Sequence, residues 1–179
     1  MTSADLTDAE RPLARAEAFR RLADRHLDAS YRLARAILSD PAEAQDATHD
    51  AFVTAWRKWS TLRDPALFEH WFDRILVRTC RNRLQRTHRW RTRDLSPELM
   101  LAPDAFGQIH DRDAIDPAIA RLSPDHRVVV VLRFHRDLTL NEIAVRLGVR
   151  PGTVKSRLHY ALKRLHSELD QGDTRGQLK

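Results

Sequence analysis

Between Leu138 and Leu165 the chain reads LTLNEIAVRLGVRPGTVKSRLHYALKRL, two helix-length stretches separated by a three-residue turn. Thr139 and Glu142 have capping-box spacing, in which hydroxyl and carboxylate satisfy each other's orphan backbone donors. Leu140, Ile143, Ala144 and Leu147 follow at i, i+3, i+4 and i+7 and form one apolar face. Gly148 suits the left-handed position after a helix, and Pro151 the first turn of the next, where its missing N–H needs no partner. In the second helix the spacing turns Val154, Leu158, Ala161, Leu162 and Leu165 inward. Thr153, Lys155, Ser156, Arg157, His159 and Tyr160 then face out near its start. A basic second helix after a short turn is what a helix-turn-helix lays in the DNA major groove. A solvated helical hairpin with ordinary surface cations is the alternative.

The 179 residues suffice for one ordinary domain or two small ones. A net charge of +6 favours a polyanionic partner without naming it. Its distribution is more telling. Arg78, Arg81, Arg83, Arg86, Arg89, Arg91 and Arg93 crowd one stretch, and Lys155 to Arg164 form another. Two basic zones suggest two contacts on one long polymer. Cys80 is the sole cysteine, which excludes an internal disulfide and a cysteine-based zinc site. The longest apolar run, Val128 to Leu132, falls far short of a bilayer span. The opening MTSADLTDAERPLAR lacks an apolar signal core. The expectation is a soluble cytoplasmic protein with no membrane insertion.

Residues up to about Arg11 are polar and expected to fray. Leu13 to Leu38 reads as one long helix or two continuous ones, with Phe19, Leu22, Leu27, Tyr31, Ala34, Ile37 and Leu38 along it. Asp40-Pro41-Ala42-Glu43 restarts a helix, and Ala44, Ala47, Ala51, Phe52, Ala55, Trp56 and Trp59 mark its apolar face. After a loop from Ser60 to Pro65, a third helix carries Leu67, Phe68, Trp71, Phe72, Ile75, Leu76, Thr79 and Leu84, then turns arginine-rich. Three such helices can close a small bundle. Trp56 and Trp71 belong to that core by spacing, whereas Trp59 and Trp90 sit where partial exposure is expected. Between about Arg91 and Ile115 periodicity fails and acids gather, a linker by composition. Val128-Val129-Val130-Val131 is β-branched, yet Ser123-Pro124 starts a helix well and no second strand is available to pair with it. Helix is the expected state.

No Ser/His/Asp set, P-loop, GxGxxG or histidine ligand pair stands out, so neither catalysis nor a cofactor or metal is expected. Cys80 reads as a small core residue.

Two blocks in this order resemble the extracytoplasmic-function (ECF) sigma factors of the sigma-70 family. One is AEAQDATHDAFVTAWRKWSTLRDPALFEHWFDRILVRTCRNRL, Ala42 to Leu84. The other is LSPDHRVVVVLRFHRDLTLNEIAVRLGVRPGTVKSRLHYALKRL, Leu122 to Leu165. The resemblance implies an all-α chain of two small helical domains, an N-terminal bundle and a C-terminal helix-turn-helix, joined by a flexible linker. Residues 13–90 would be region 2, 91–116 the linker and 117–170 region 4. It implies binding to bacterial core RNA polymerase and promoter DNA, duplex upstream and melted non-template strand downstream. Whether an anti-sigma factor also binds stays open.

By that resemblance Thr153, Lys155, Ser156, Arg157, His159 and Tyr160 meet the minus-thirty-five element, with Tyr160 where a basic residue is common. Leu62, Arg63 and Asp64 lie in the loop that receives a flipped minus-ten base. Arg78 and Asn82 touch the unpaired strand, and Arg81, Arg83 and Arg86 its phosphates. Asp46, His49, Asp50, Val53 and Arg57 face the polymerase, with His49 in place of the usual glutamine. Two rivals remain: a conventional helix-turn-helix regulator of duplex operators, and a helical adaptor for acidic proteins.

Overall fold

A computed structural model of the chain describes residues 10–93 and 115–176, with side chains described for 13–90 and 115–169. Every regular element among them is helical. Most of the linker expected from the sequence lies outside the described residues.

α1 (Glu10–Leu38) is one continuous helix rather than two, and buries Leu33, Ala34, Ile37 and Leu38. Its start at Glu10 overlaps the stretch expected to fray. Ser39 ends it in the left-handed region, φ 65°, its carbonyl accepting from Arg35. The chain then turns straight into α2 (Pro41–Arg57), where the Asp40 carboxylate accepts from the Glu43 amide at 2.8 Å and Pro41 takes the first position. Ala44, Ala47, Ala51 and Ala55 are fully buried, and four small side chains in a row let α2 lie close on its neighbours. Two short 3-10 turns, Trp59–Thr61 and Pro65–Leu67, lead to α3 (Phe68–Arg93).

Aromatic rings fill the centre of this three-helix layer. Phe52 and Phe72 stack at 4.3 Å between centroids, and Phe19 meets Phe52, Trp59 and Phe68 edge-on. Trp71 is half-buried, but Trp56 departs from the core role expected of it and stays 39% exposed. One side of its ring meets Phe19 while the Arg15 guanidinium stands 5.4 Å from its centroid, so a cation takes the place of an apolar neighbour.

The second group of helices is α4 (Ile115–Arg121), α5 (Pro124–Phe134), α6 (Leu140–Leu147) and α7 (Pro151–Gly176). The valine run is helical, and the reason is burial on every side. Val128, Val129, Val131 and Leu132 join the same apolar cluster as Leu33, Ile37, Phe72 and Leu76, while Val130 packs with Leu122 and Ala161. A helix covered all round needs no polar stripe, and so reads like a strand in sequence. Around α6 the capping box forms as spaced: the Thr139 amide donates to Glu142 Oε2 at 2.8 Å and the Glu142 amide to Thr139 Oγ1 at 3.3 Å. The Thr139 hydroxyl, which donates to Glu142 Oε2 at 2.7 Å, and then the Thr139 amide hold the Glu142 carboxyl below its usual range. Gly148, φ 66°, closes the helix. Of the face assigned inward on α7, Val154 and Ala161 are fully buried, but Leu162 is 41% exposed.

The two groups of helices thus share one continuous core. Arg127 binds them further: buried, it donates to the carbonyls of Ile119 (3.1 Å), Ala120 and Ile37 (3.2 Å), a cation at the C-terminal ends of α4 and α1.

Candidate nucleic-acid interface

The residues assigned to the upstream element occupy the first three turns of α7. Lys155, Ser156, His159 and Tyr160 are exposed, and Thr153 is half-buried. Val154, wholly buried one position before Lys155, fixes the rotation of the helix and so aims that set outward. The Ser156 hydroxyl donates to the Thr153 carbonyl at 3.0 Å, and the His159 and Tyr160 rings meet edge-on at 5.5 Å. Arg157 is placed differently from these. Its Nη2 donates to Asp125 Oδ2 at 2.6 Å, which leaves the side chain 21% exposed.

The downstream set divides in the same way. Arg78 and Asn82, one turn apart on α3, are exposed, as is Arg86. Arg81 donates from Nε to Asp125 Oδ1 at 2.5 Å. Arg83 is held by α2: Nη1 donates to Glu43 at 2.8 Å, Nη2 to Asp50 at 2.6 Å, and Asp46 lies 3.9 Å away. Burial opposes the charge on Arg83, but its bonds to Asp50 and Glu43 outweigh that and keep its pKa above the ordinary value. In the loop, Arg63 is exposed, Leu62 packs partly against the core, and the Asp64 carboxylate caps the second 3-10 turn through the Ala66 amide at 2.9 Å.

Of the surface assigned to polymerase, Asp46, His49, Asp50 and Arg57 are exposed and Val53 is half-buried. Asp46 and Asp50 therefore face solvent and Arg83 at once. The α2 and α3 sets meet in a groove of about 630 Å³ that Asp50, Val53, Arg57, Asn82, Arg83 and Arg86 help to line. The resemblance assigns these residues to separate surfaces, and helical spacing does not show that they border one space.

Sequence reasoning also missed a layer of long-range ion pairs. Asp73, almost fully buried, accepts from Arg136 Nη2 at 3.0 Å and lies 3.6 Å from Arg146 Nε. Arg146 Nη2 also meets His70 Nδ1 at 3.1 Å, and Arg136 reaches Glu69 at 3.7 Å. The only hint in sequence is a charge set inside an apolar run, as in Trp71-Phe72-Asp73-Arg74-Ile75. Cys80 is fully buried, and burial pushes its thiol up to about 12. Among the described residues no cluster of histidine, cysteine or carboxylate groups is arranged to hold a metal ion. Nor is any described helix long and apolar enough to cross a membrane.

Comparison with known proteins matches residues 22–91 to the family model for sigma-70 region 2 and residues 118–167 to that for sigma-70 region 4. The chain is 37% identical to RNA polymerase sigma-E factor of Streptomyces coelicolor over 148 residues, 79% of this chain and 80% of that one. It is 33% identical to the ECF RNA polymerase sigma factor SigL of Mycobacterium tuberculosis over 168 residues, 88% of this chain and 92% of the relative. Among solved structures, the sigma factor RpoE of Bartonella quintana, in complex with the anti-sigma factor NepR, shares the fold. Its TM-score is 0.61 at 24% identity, covering 85% of this chain and 96% of that one.

Proposed function

The chain belongs to the ECF sigma factors of the sigma-70 family, which direct RNA polymerase to promoters, and from that premise we propose a division of labour within it. Residues 13–90 act as region 2, engaging core polymerase and the minus-ten element, and residues 117–170 act as region 4, reading the minus-thirty-five element in duplex DNA. The protein works in the cytoplasm, where polymerase and chromosome are. It supplies binding, and the bond-making chemistry stays with the polymerase.

The observation that carries this is the row of exposed polar side chains at the start of α7, aimed outward by the buried Val154 beneath them. Lys155, Ser156, His159 and Tyr160 are positioned to reach base edges in the major groove, where each base pair has its own donor and acceptor pattern. The helix N-terminus favours a phosphate. Thr153 precedes that row, and Arg157 lies within it but is turned to Asp125.

On α3, Arg78 and Asn82 face solvent on one side and meet the unpaired non-template strand, while the exposed Arg86 follows its backbone; Arg81 and Arg83 would join it only on leaving Asp125 and the α2 carboxylates. Leu62, Arg63 and Asp64 border the pocket for a flipped base. The exposed part of α2, with Asp46, His49, Asp50, Val53 and Arg57, docks on the polymerase as helix on helix. The test is reconstitution with bacterial core polymerase on a fragmented genomic library, with sequencing of transcript starts. Initiation clustered behind a shared two-element motif is expected. Starts no more frequent or focused than with core enzyme alone would overturn the reading.

A further inference from the structure

Three of the four tryptophans have a partner against the ring. Trp59 meets Phe19 edge-on at 5.3 Å, Trp71 lies 6.0 Å from Phe68, and Trp56 has both Phe19 and the Arg15 guanidinium beside it. Trp90, near the end of α3, differs. It is 68% exposed, and no ring or cation stands over it among the described residues. So large an apolar surface left in water gains by being covered.

Its place on the helix says by what. Thr79, Asn82, Arg83, Arg86 and Trp90 recur at i, i+3, i+4, i+7 and i+11, one face of α3, and the first four line the groove between α2 and α3. Arg89, the residue before Trp90, borders that groove too. Arg86 is exposed, makes no ion pair among the described residues, and stands one turn from Trp90, about 5–6 Å between Cβ atoms. From Arg74 to Arg93 the sequence carries no carboxylate. The partner that fits brings negative charge and a flat apolar face together at that spacing. Aromatic side chains serve protein interfaces as well, but a protein would have to combine acidic groups with such a face. A nucleotide combines them by its nature, with phosphate for Arg86 and a base for the indole.

We propose that Trp90 is a base-stacking subsite, which takes the face of an unpaired promoter base whose phosphate lies on Arg86. The inference rests on the reading of α3 as the helix that holds the unpaired strand, and it lengthens that site by one turn. Stacking on an aromatic face is tolerant of base identity, so the subsite adds grip and not sequence preference.

The test uses holoenzyme reconstituted from the full chain and core polymerase. The template is a fork, duplex upstream and single-stranded from the minus-ten element onward, with an abasic nucleotide placed at each unpaired position in turn. Trp90→Ala should weaken binding of the intact fork by about five- to hundredfold, while Trp90→Phe, which keeps a ring, should lose much less. At one position the abasic template should cost wild type about as much as Trp90→Ala does, and should cost Trp90→Ala almost nothing more, because base and ring are then removed as one interaction. Affinity for core polymerase and the denaturation midpoint should match wild type, since the side chain is exposed. The proposal is overturned if Trp90→Ala holds the fork as well as wild type, or if no abasic position shows that coupling. It is also overturned if the loss is accounted for by weaker binding to core polymerase, which would give Trp90 to the protein interface. A wild type that holds the fork no better than core enzyme alone overturns the strand-binding reading of α3 and the subsite with it. A wild type that holds the fork with no coupled position overturns the subsite alone.

Discussion

At the scale of single residues, position along a helix does not decide availability. Lys155 and Arg157 stand two apart on α7, yet Lys155 points into solvent while Arg157 is tied to Asp125. Lys155→Ala should therefore act on DNA alone. If it reads a base edge, promoter use falls by roughly 1–3 kcal/mol in affinity with relaxed preference at one position. If it contacts phosphate, all sequences weaken alike, and a promoter library scored by transcript yield separates the two. Cys80 makes a prediction about pH. Its folded pKa of about 12 lies above the ordinary thiol value of 9.0, because burial disfavours the thiolate. Above pH 9 the unfolded chain binds fewer protons than the folded one. Stability due to this group is thus complete below about 9 and is lost as pH rises toward 12, by at most about 1.4 kcal/mol per pH unit. Urea midpoints across that range should fall more steeply for wild type than for Cys80→Ala, and parallel slopes would count against the assignment.

At the scale of elements, the caps carry much of the local specification. Thr139→Ala removes the hydroxyl that accepts from Glu142 N and should cost about 1 kcal/mol, read as a lowered midpoint of denaturation. Ser39 holds φ 65°, which costs an L-residue about 1–2 kcal/mol relative to glycine's ease there. Ser39→Gly should raise the same midpoint; a fall would show that the Ser39 side chain is worth more than the strain. These features were legible because capping is local: Asp40-Pro41 and Thr139 with Glu142 lie within a few residues of what they satisfy. The valine run of α5 was harder. Periodicity reports a boundary between buried and exposed faces, and a helix packed on all sides has none. The Ser123-Pro124 start, the spacing of Val128, Val131, Leu132 and His135, and the absence of a partner strand decided it together. Trp56 and Leu162 failed for the opposite reason, because spacing says which side a residue is on and not whether anything reaches far enough to cover it.

At the scale of the whole molecule, the sequence conveyed two groups of helices but not their contact. The pairs that join them, Arg81 with Asp125 and Asp73 with Arg136 and Arg146, span 44 to 73 positions and use residue types that composition assigns to solvent. Residue types at helical spacing could nominate Arg81 and Arg157, but not reveal that one carboxylate holds both. Function at this scale concerns the order of events. Arg78→Ala and Asn82→Ala alter exposed side chains proposed to meet bases only after they unpair. They should impair promoter opening more than closed-complex formation. A template already mismatched across the minus-ten element removes much of the few kcal/mol spent on unpairing and should partly restore both variants. Permanganate reactivity of unpaired thymines reads this directly. Equal defects on paired and mismatched templates would point to a role in duplex binding instead.

The docking of the two groups of helices also bears on solubility. Val128, Val129, Val131 and Leu132 are covered in part by apolar side chains of the first group. Parting the groups uncovers a β-branched, uncharged stretch with the composition of aggregation-prone segments. An opened molecule without a partner is therefore prone to self-associate, and its useful lifetime shortens as protein concentration rises. Conditions that favour separation, including loss of the Asp125 carboxylate, should show turbidity or fast-sedimenting species at concentrations where wild type stays clear. Prompt capture by polymerase would then serve as protection against precipitation as well as recruitment to a promoter.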